Sequence, residues 1–546
     1  MNQTEQGNRK RSRRRFDALA ALGLIIVAAG IGAWNAYWRH WNHLDEMPVM
    51  WDEAHFEAMS IRLNNAMREG LAETARVYVN YSPDQAPFLP LSTSFLYFLL
   101  PAKTETALVA NSIYVAVLLL SIYFLAAHLS QRLAGLLACA GLIAIRPMLE
   151  FTRLFRTETA LTALVALTVL CLVKSSRFRK PWWALAAGIA GGAALLTNGI
   201  AAVYLTGAAL YVTLGMIFDR RLRARQILFW FVAAVPAFGM AASWYVPNLQ
   251  NLWKFLTDFG FGESARRFGA GGTLFTLQNW LYYPRNIIAA LLLPLSIAFL
   301  VTTAAGIAAA FVNARRNKPS AVTQHTTSRG FDIWLLVVWA ASSYFFLSIP
   351  LDKKIHFALT FLPAVVLLLT YVFCKANRTI VKICGAVLIL FACGMNFRFH
   401  FTQTQPYMRE SDVRVVESGK ELWQLGEIAD SVARNSGPRD ETAVAFLANH
   451  AVFQAKTFEL EALHRGYDFT LHYVSIVIDS QISSAIRKSD FVIIKEGRQT
   501  PPHLVIAPEK VQKILKALKK ETGEEFRKIE EFPLPDGKAI LLKRTR

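Results

Sequence analysis

The side chains best suited to chemistry in this sequence are a few ionisable groups set beside long apolar stretches. Trp51-Asp52-Glu53-Ala54-His55-Phe56-Glu57 follows Pro48 and puts two carboxylates and an imidazole within one helical turn. A carboxylate such as Asp52 can accept the proton of an attacking hydroxyl as a general base. A plainer reading is structural: Asp52 as a helix N-cap, with Trp51 and Phe56 forming a hydrophobic staple, requires no reaction. The two roles can coexist in one residue. Phe56, Met59, Leu63 and Met67 recur at spacings of three and four, which predicts an amphipathic helix lying along a membrane surface.

Three further groups stand at the edges of apolar segments. Arg153-Leu154-Phe155-Arg156-Thr157-Glu158 opens one such segment. A carboxylate there costs about 3 kcal/mol if it faces lipid, so Glu158 should face a cavity or pair with Arg153 or Arg156. Asp352-Lys353-Lys354-Ile355-His356 fills a short loop between two others. Its two ammonium groups could neutralise a phosphate leaving group, or simply snorkel to lipid headgroups. Residues 247 to 285 interleave Lys254, Arg266, Arg267 and Arg285 with Trp253, Phe255, Phe259, Phe261, Phe268, Trp280, Tyr282 and Tyr283. With Gly269-Ala270-Gly271-Gly272, this reads as a mobile flap over an apolar groove combined with an interfacial aromatic belt. No His-Glu-x-x-His spacing occurs, and the metal, if any, is left unknown.

The apolar stretches must position these groups. A bilayer core about 30 Å thick takes roughly 20 apolar residues per helix. That template fits eleven times: 17 to 37, 106 to 127, 133 to 149, 158 to 173, 182 to 198, 200 to 218, 227 to 246, 286 to 312, 331 to 349, 355 to 373 and 380 to 397. The first span follows a flank rich in Arg and Lys, residues 1 to 16, and lacks a small-residue cleavage site, so an uncleaved anchor with a cytoplasmic N-terminus is expected. Counting forward, the basic turns at Lys174 to Lys180, Arg220 to Arg225, Arg315 to Lys318 and Lys375 to Lys382 all return to that same side. Eleven spans then leave the C-terminus outside, with 38 to 105, 150 to 158, 247 to 285 and 350 to 354 as outer loops. Phe88 to Pro101 is apolar but short and holds Pro90, and is read as a re-entrant or interfacial piece.

Residues 401 to 546 have the composition of a soluble domain. A polar-faced helix is expected over 411 to 436, strands at Thr442 to Leu447, Phe491 to Lys495 and Ala539 to Lys543, and a Lys-rich helix from Pro508 to Thr522. No phosphate loop, metal spacing or nucleophile elbow occurs there, so recognition or support is the expected role.

Composition agrees with a membrane protein. The chain of 546 residues is 54% hydrophobic and 18% charged, against about 25% charged for soluble domains. Its formal charge of +20 would suit nucleic acid, but the Lys and Arg fall in short turns between apolar segments, which excludes that reading. All five cysteines lie before residue 400, in or beside apolar segments, and imply neither a disulfide framework nor a zinc site.

Taken in order, the motifs resemble the membrane glycosyltransferases that use polyprenyl-phosphate-linked sugars, the protein O-mannosyltransferase and lipid A aminoarabinose transferase group. The resemblance spans about 17 to 400 and rests on Asp52-Glu53, then Tyr81-Ser82-Pro83-Asp84-Gln85-Ala86-Pro87, Arg156-Thr157-Glu158, Gly188 to Gly199, Trp244-Tyr245 and Lys353 to Pro363. It implies a polytopic α-helical membrane protein of GT-C type with about 11 transmembrane helices and an outer C-terminal α/β domain, in a bacterial plasma (inner) membrane. It implies Asp52 as general base, with Glu53 and Glu158 positioning the acceptor or a divalent metal ion, and inversion by direct displacement. Many relatives carry Lys where this chain has Gln85 and Asn198, so donor-phosphate binding falls to Arg153, Arg156, Lys353 or Lys354, or to a metal. His55, Asp84, Gln85, Asn198, Arg266, Arg267, Tyr282, Tyr283 and His356 complete the expected substrate surface. The partners implied are a polyprenyl-phosphate-linked sugar donor, a glycan, lipid or protein acceptor, and membrane lipids. A lipid-linked substrate translocase or a catalytically silent polyprenyl-lipid-binding protein are the competing readings.

Overall fold

The computed structural model describes residues 3–36, 49, 51–219, 223–262, 276–316, 326–375, 379–402, 422–436, 442–448, 450, 452–473, 479–497, 508–522 and 525–545. In chain order the helices begin with α1 (Gln3–Ala36), α2 (Trp51–Glu69), α3 (Leu71–Asn80), α4 (Phe88–Leu96) and α5 (Thr104–His128). There follow α6 (Arg132–Ala144), α7 (Arg146–Phe151), α8 (Thr157–Ser175), α9 (Pro181–Thr197), α10 (Ala201–Ile217), α11 (Ala224–Phe261) and α12 (Leu277–Arg316). After them come α13 (Thr326–Ser348), a 3-10 turn (Ile355–Thr360), α14 (Leu362–Cys374) and α15 (Thr379–Thr402). The remaining chain forms α16 (Leu425–Asn435), β1 (Thr442–Leu447), α17 (Ala455–His464), β2 (Phe469–Tyr473), α18 (Asp479–Arg487), β3 (Phe491–Gly497), α19 (Pro508–Thr522), β4 (Glu525–Leu534) and β5 (Gly537–Thr545).

The expected apolar segments become helices, the one at 355 to 373 opening with the 3-10 turn before α14, and among the described residues seven are long and apolar enough to cross a membrane: α1, α5, α8, α11, α12, α13 and α15. The helices α6, α9, α10 and α14 are apolar but shorter. Rows of exposed apolar side chains, such as Phe231, Val235 and Phe238 on α11 and Ile383, Val387 and Leu390 on α15, fit a lipid-facing surface. The chain is a multi-pass membrane protein.

Two expected boundaries change for a local reason. The segment 133 to 149 breaks at Ile145, whose backbone is extended, because Pro147 lacks an amide to continue the ladder and instead opens α7. More than half of the expected outer loop 247 to 285 is helix: Leu249, Gln250, Leu252, Lys254 and Leu256 are good helix formers, so α11 continues past Pro247 to Phe261, and α12 starts at Leu277. Tyr282 and Tyr283 therefore stand on a helix, whereas Arg266 and Arg267 lie outside the described residues. The helix expected over 411 to 436 is described only from Leu425. Inside α12 the backbone kinks at Leu292, with φ 58°, two residues before Pro294. Asn396 of α15 donates to Leu291 O at 2.8 Å and Ala144 O at 3.2 Å, satisfying carbonyls freed at the kink and at the end of α6.

The chain divides into two compact units. The first comprises Met1–Ala33, Ala75–Leu89 and Val109–Val415; the second comprises Trp34–Thr74, Pro90–Leu108 and Val416–Arg546. In the first, α8 is packed between α9 and α10 and is buried almost throughout. Its 19 residues, about 28 Å of helix, separate two polar ends. At one, Arg177 and Arg179 pair with Asp219 and so draw two of the basic turns together. At the other stand Arg156 and Glu158.

In the second unit the five-stranded sheet has the order β2-β1-β3-β5-β4. β1 runs parallel to β2 and β3, while β5 is antiparallel to both β3 and β4. β1 and β3 are nearly continuous apolar runs because both faces are covered. Helices α16 and α17 pack on one face around Phe446, Phe453 and Phe458; α18 and α19 cover the other around Ile482, Ile486 and Val511. β2 and β4, polar on one side, are the edges of the sheet and were the strands the pattern missed.

The largest correction concerns α2. It is not a helix resting on a membrane surface: residues 53 to 61 are all buried, and it packs against α17 of the sheet domain. Val49, Ala54, Ala58, Ile61, Tyr97 and Leu460 form their own apolar core.

Candidate active site

In the first unit the site grows from the entry to α8. Arg156 is extended at the N-cap of that helix, and the loop before it is fixed from two sides. Asn111 donates to Leu154 O at 2.6 Å and Thr152 O at 3.3 Å, and Thr159 donates to Phe151 O at 2.9 Å. Glu158 follows in the first turn, where the partial positive charge of the helix N-terminus favours a carboxylate. It is 8% exposed, with Oε1 3.0 Å from Arg156 Nη2 and 3.7 Å from His356 Nε2. Phe151 carries the guanidinium of Arg156 over its ring at 5.5 Å and lies 5.4 Å from the ring of His356. A buried carboxylate, a guanidinium and an imidazole thus share one place, and of the alternatives expected for Glu158, a cavity or a pair with Arg153 or Arg156, the structure shows the pair with Arg156.

The 3-10 turn that carries His356 is anchored by residues that carry no mark in the sequence. Tyr204 of α10 donates to Phe357 O at 2.7 Å, and Thr162 of α8 meets Thr360 at 3.3 Å. A tyrosine within an apolar helix gives no signal of such a role. Asn198, between α9 and α10, donates to Thr157 at 3.4 Å while its side-chain oxygen accepts from the Ile200 amide at 3.1 Å. It therefore braces the entry to α8, which a lysine at that position would not do in the same way.

The loop before His356 behaves less uniformly than its two lysines suggest. Lys353 is buried and donates to Ser348 O at 2.9 Å and Leu347 O at 3.1 Å, capping the C-terminal end of α13, with its ammonium 5.5 Å from the ring of Tyr283. Burial pulls its pKa down to about 8. Lys354 lies instead 3.7 Å from Asp352, half exposed. Burial raises the Asp352 carboxyl, and Lys354 opposes that rise. Lys354 is the freer cation for a phosphate. Tyr283 is fully buried beside Phe361, Tyr282 is half-buried, Arg153 is half-buried, and Asp84 is exposed, accepting from Ser82 at 3.1 Å, with Gln85 next to it.

Asp52, Glu53 and His55 belong to the second unit. The helix α2 opens at Trp51, whose φ of 46° is left-handed, so Asp52 stands in the first turn with Glu53 beside it. The Asp52 carboxylate is 42% exposed and Oδ1 lies 3.9 Å from Lys456 Nζ. Glu53 is buried. His55 is buried as well, and burial first, then the charge of Lys456, lowers its pKa to about 3, so it is a neutral imidazole. Farther along α2, Glu57 is fully buried, accepts from Thr104 at 2.9 Å and lies 3.0 Å from His464. Burial pulls the His464 pKa down, but the hydrogen bond and charge of Glu57, with Glu461 behind it, outweigh that and hold it above the usual imidazole value. Glu57, Lys456 and His464 were outside the candidate set because their meeting joins parts of the chain some 400 residues apart.

Among the described residues no three His, Cys, Asp or Glu side chains gather as a metal site.

Comparison with known proteins adds the following. The family described as dolichyl-phosphate-mannose-protein mannosyltransferase matches residues 84–245, a segment that includes Asp84, Gln85, Arg153, Arg156, Glu158 and Asn198. No protein of curated function matches the chain by sequence. The crystal structure of ArnT from Cupriavidus metallidurans bound to undecaprenyl phosphate superposes with a TM-score of 0.56 at 14% identity, over 96% of this chain and 98% of that one. The apo form of the same protein gives 0.57 at 13% identity, with the same coverage. An oligosaccharyltransferase from Archaeoglobus fulgidus is a looser likeness, at 0.48 and 13%, over 87% of this chain and 69% of that one. The fold is that of ArnT, a GT-C-like membrane fold with a C-terminal sheet domain.

Proposed function

We propose that this chain is an inverting membrane glycosyltransferase that moves a sugar from a polyprenyl-phosphate carrier to a hydroxyl acceptor, a glycan, lipid or protein, on the outer face of a bacterial plasma membrane. The observation that carries the reading is the Arg156-Glu158-His356 cluster around the buried Glu158, built from the mannosyltransferase-matched segment and the 3-10 turn packed against α8 in a chain that shares the fold of ArnT. The ArnT structure is described as bound to undecaprenyl phosphate.

The chemistry assigns one role to each charge. The acceptor oxygen forms a bond to the anomeric carbon, its proton passes to the Asp52 carboxylate, and the carbon–oxygen bond to the lipid phosphate breaks with its electron pair leaving on phosphate. Arg156 and Lys354 offset that developing negative charge; Arg156 matters most because it sits in the drier surroundings. Glu158 and the ring of Phe151 hold the guanidinium in place, and His356 lies against both of them. Asp52 suits the base because it is partly open to solvent, while Glu53 next to it is buried. A metal is given no step.

The test is transfer of a labelled sugar from synthetic polyprenyl phosphate in proteoliposomes by the native protein and by Asp52→Asn. The reading expects transfer to stop in the variant while lipid binding persists. Equal turnover by both proteins would reject Asp52 as base. Movement of the lipid-linked sugar across the bilayer without a new glycosidic bond would instead establish a translocase.

A further inference from the structure

We propose that Lys456, at the start of α17 in the C-terminal domain, is a positioning residue for the reaction: it holds Asp52 in place and keeps its carboxylate ionised. The inference rests on the reading of Asp52 as general base. Three successive turns of α17 grip the segment that carries Asp52. Thr457 donates to Val49 O at 2.9 Å, just ahead of α2. Leu460, 1% exposed, fills the core made by Val49, Ala54, Ala58 and Ile61. His464 meets Glu57 at 3.0 Å. These contacts recur at spacings of three and four along α17, so they lie on one stripe of that helix. Arg62 adds a clamp beyond them, 2.9 Å from Glu459 and 2.7 Å from Asp468.

Lys456 belongs to the same turn as Thr457, and its ammonium is 3.9 Å from Asp52 Oδ1. The charged and titratable groups set around Asp52 include Glu53 and His55 on its own helix and Lys456 from α17. His55 is neutral and Glu53 would repel, whereas Lys456 brings a positive charge to the carboxylate. The sheet domain has neither a phosphate loop nor a metal spacing, and this contact gives it a specific role, to fix the base and supply its counter-charge. A partly exposed pair of this kind should lower the base's working pKa by about half a unit.

The measurement is the pH profile of kcat/KM for transfer by the full-length protein in proteoliposomes. Lys456→Met should move the acid limb upward by about half a pH unit, and Lys456→Arg should restore it. Raising the salt concentration should move the native limb the same way, because an exposed pair is screened; this arm needs no variant. The proposal is overturned if the limb is unmoved both by salt and by Lys456→Met while Asp52→Asn abolishes transfer. If Asp52→Asn is fully active, the base assignment fails instead and Lys456 falls with it. A Lys456→Met protein that loses turnover with an unmoved limb, and that Lys456→Arg does not rescue, would also overturn the proposal.

Discussion

At the scale of single residues, like side chains separate by what they touch. Lys353 and Lys354 are neighbours in sequence, yet one caps α13 and the other faces Asp352. Arg156 reaches Glu158 through a geometry held by Asn111, Thr159 and Phe151. A contrast of variants follows. Arg156→Gln should lower transfer by about 100-fold, since it removes a fixed cation from the leaving phosphate. Lys353→Met should lower the melting temperature of the purified protein and leave KM for the lipid donor unchanged, because a cap acts on stability. Steady-state kinetics and thermal unfolding of the two variants in parallel decide this; a raised donor KM in Lys353→Met would return that lysine to the phosphate. Glu158 could be singled out from sequence because an acid at the mouth of an apolar segment is costly. The division of labour between the two lysines could not, since it depends on where the end of α13 lies.

At the scale of elements, the pairing of α2 with α17 contains two histidines that respond to pH in opposite senses. His464 has a folded pKa above its ordinary 6.5, so its contribution to stability is complete below 6.5 and is lost as pH rises through the folded value. His55 has a folded pKa near 3, so stability is lost as pH falls from 6.5 towards that value. Melting temperature should therefore fall on both sides of a maximum between weakly acidic and neutral pH. His464→Gln should flatten the alkaline decline and leave the acidic one, as thermal unfolding across pH would record; an unchanged alkaline decline would place its origin elsewhere. The period of Phe56, Met59, Leu63 and Met67 correctly indicates a helix. Its partner was not legible, because apolar residues spaced three and four apart suit a protein core as well as a bilayer.

For the whole molecule, the grouping of α2 with the sheet domain makes that domain part of the working protein. Removing the chain after Thr402 would strip α2 of Thr457, Leu460 and His464, leaving Glu57 without His464 and the Ala54, Ala58 and Ile61 stripe without Leu460. Such a truncation is expected to abolish transfer even though Arg156, Glu158 and His356 remain, and labelled-sugar incorporation into acceptor would check it. The sequence by itself determined the membrane-spanning character, the positions of the apolar helices and the central strands, and the acidic and basic groups worth testing. These follow from local rules: a length of apolar chain, the period of a helix or strand, and the cost of a charge near lipid. Only the tertiary structure decided that α11 runs through an expected loop, that α2 is buried rather than laid on a surface, and that Lys456 meets Asp52. The last two outcomes depend on contacts between residues hundreds of positions apart, and their energies arise only when the chain has brought the two surfaces together.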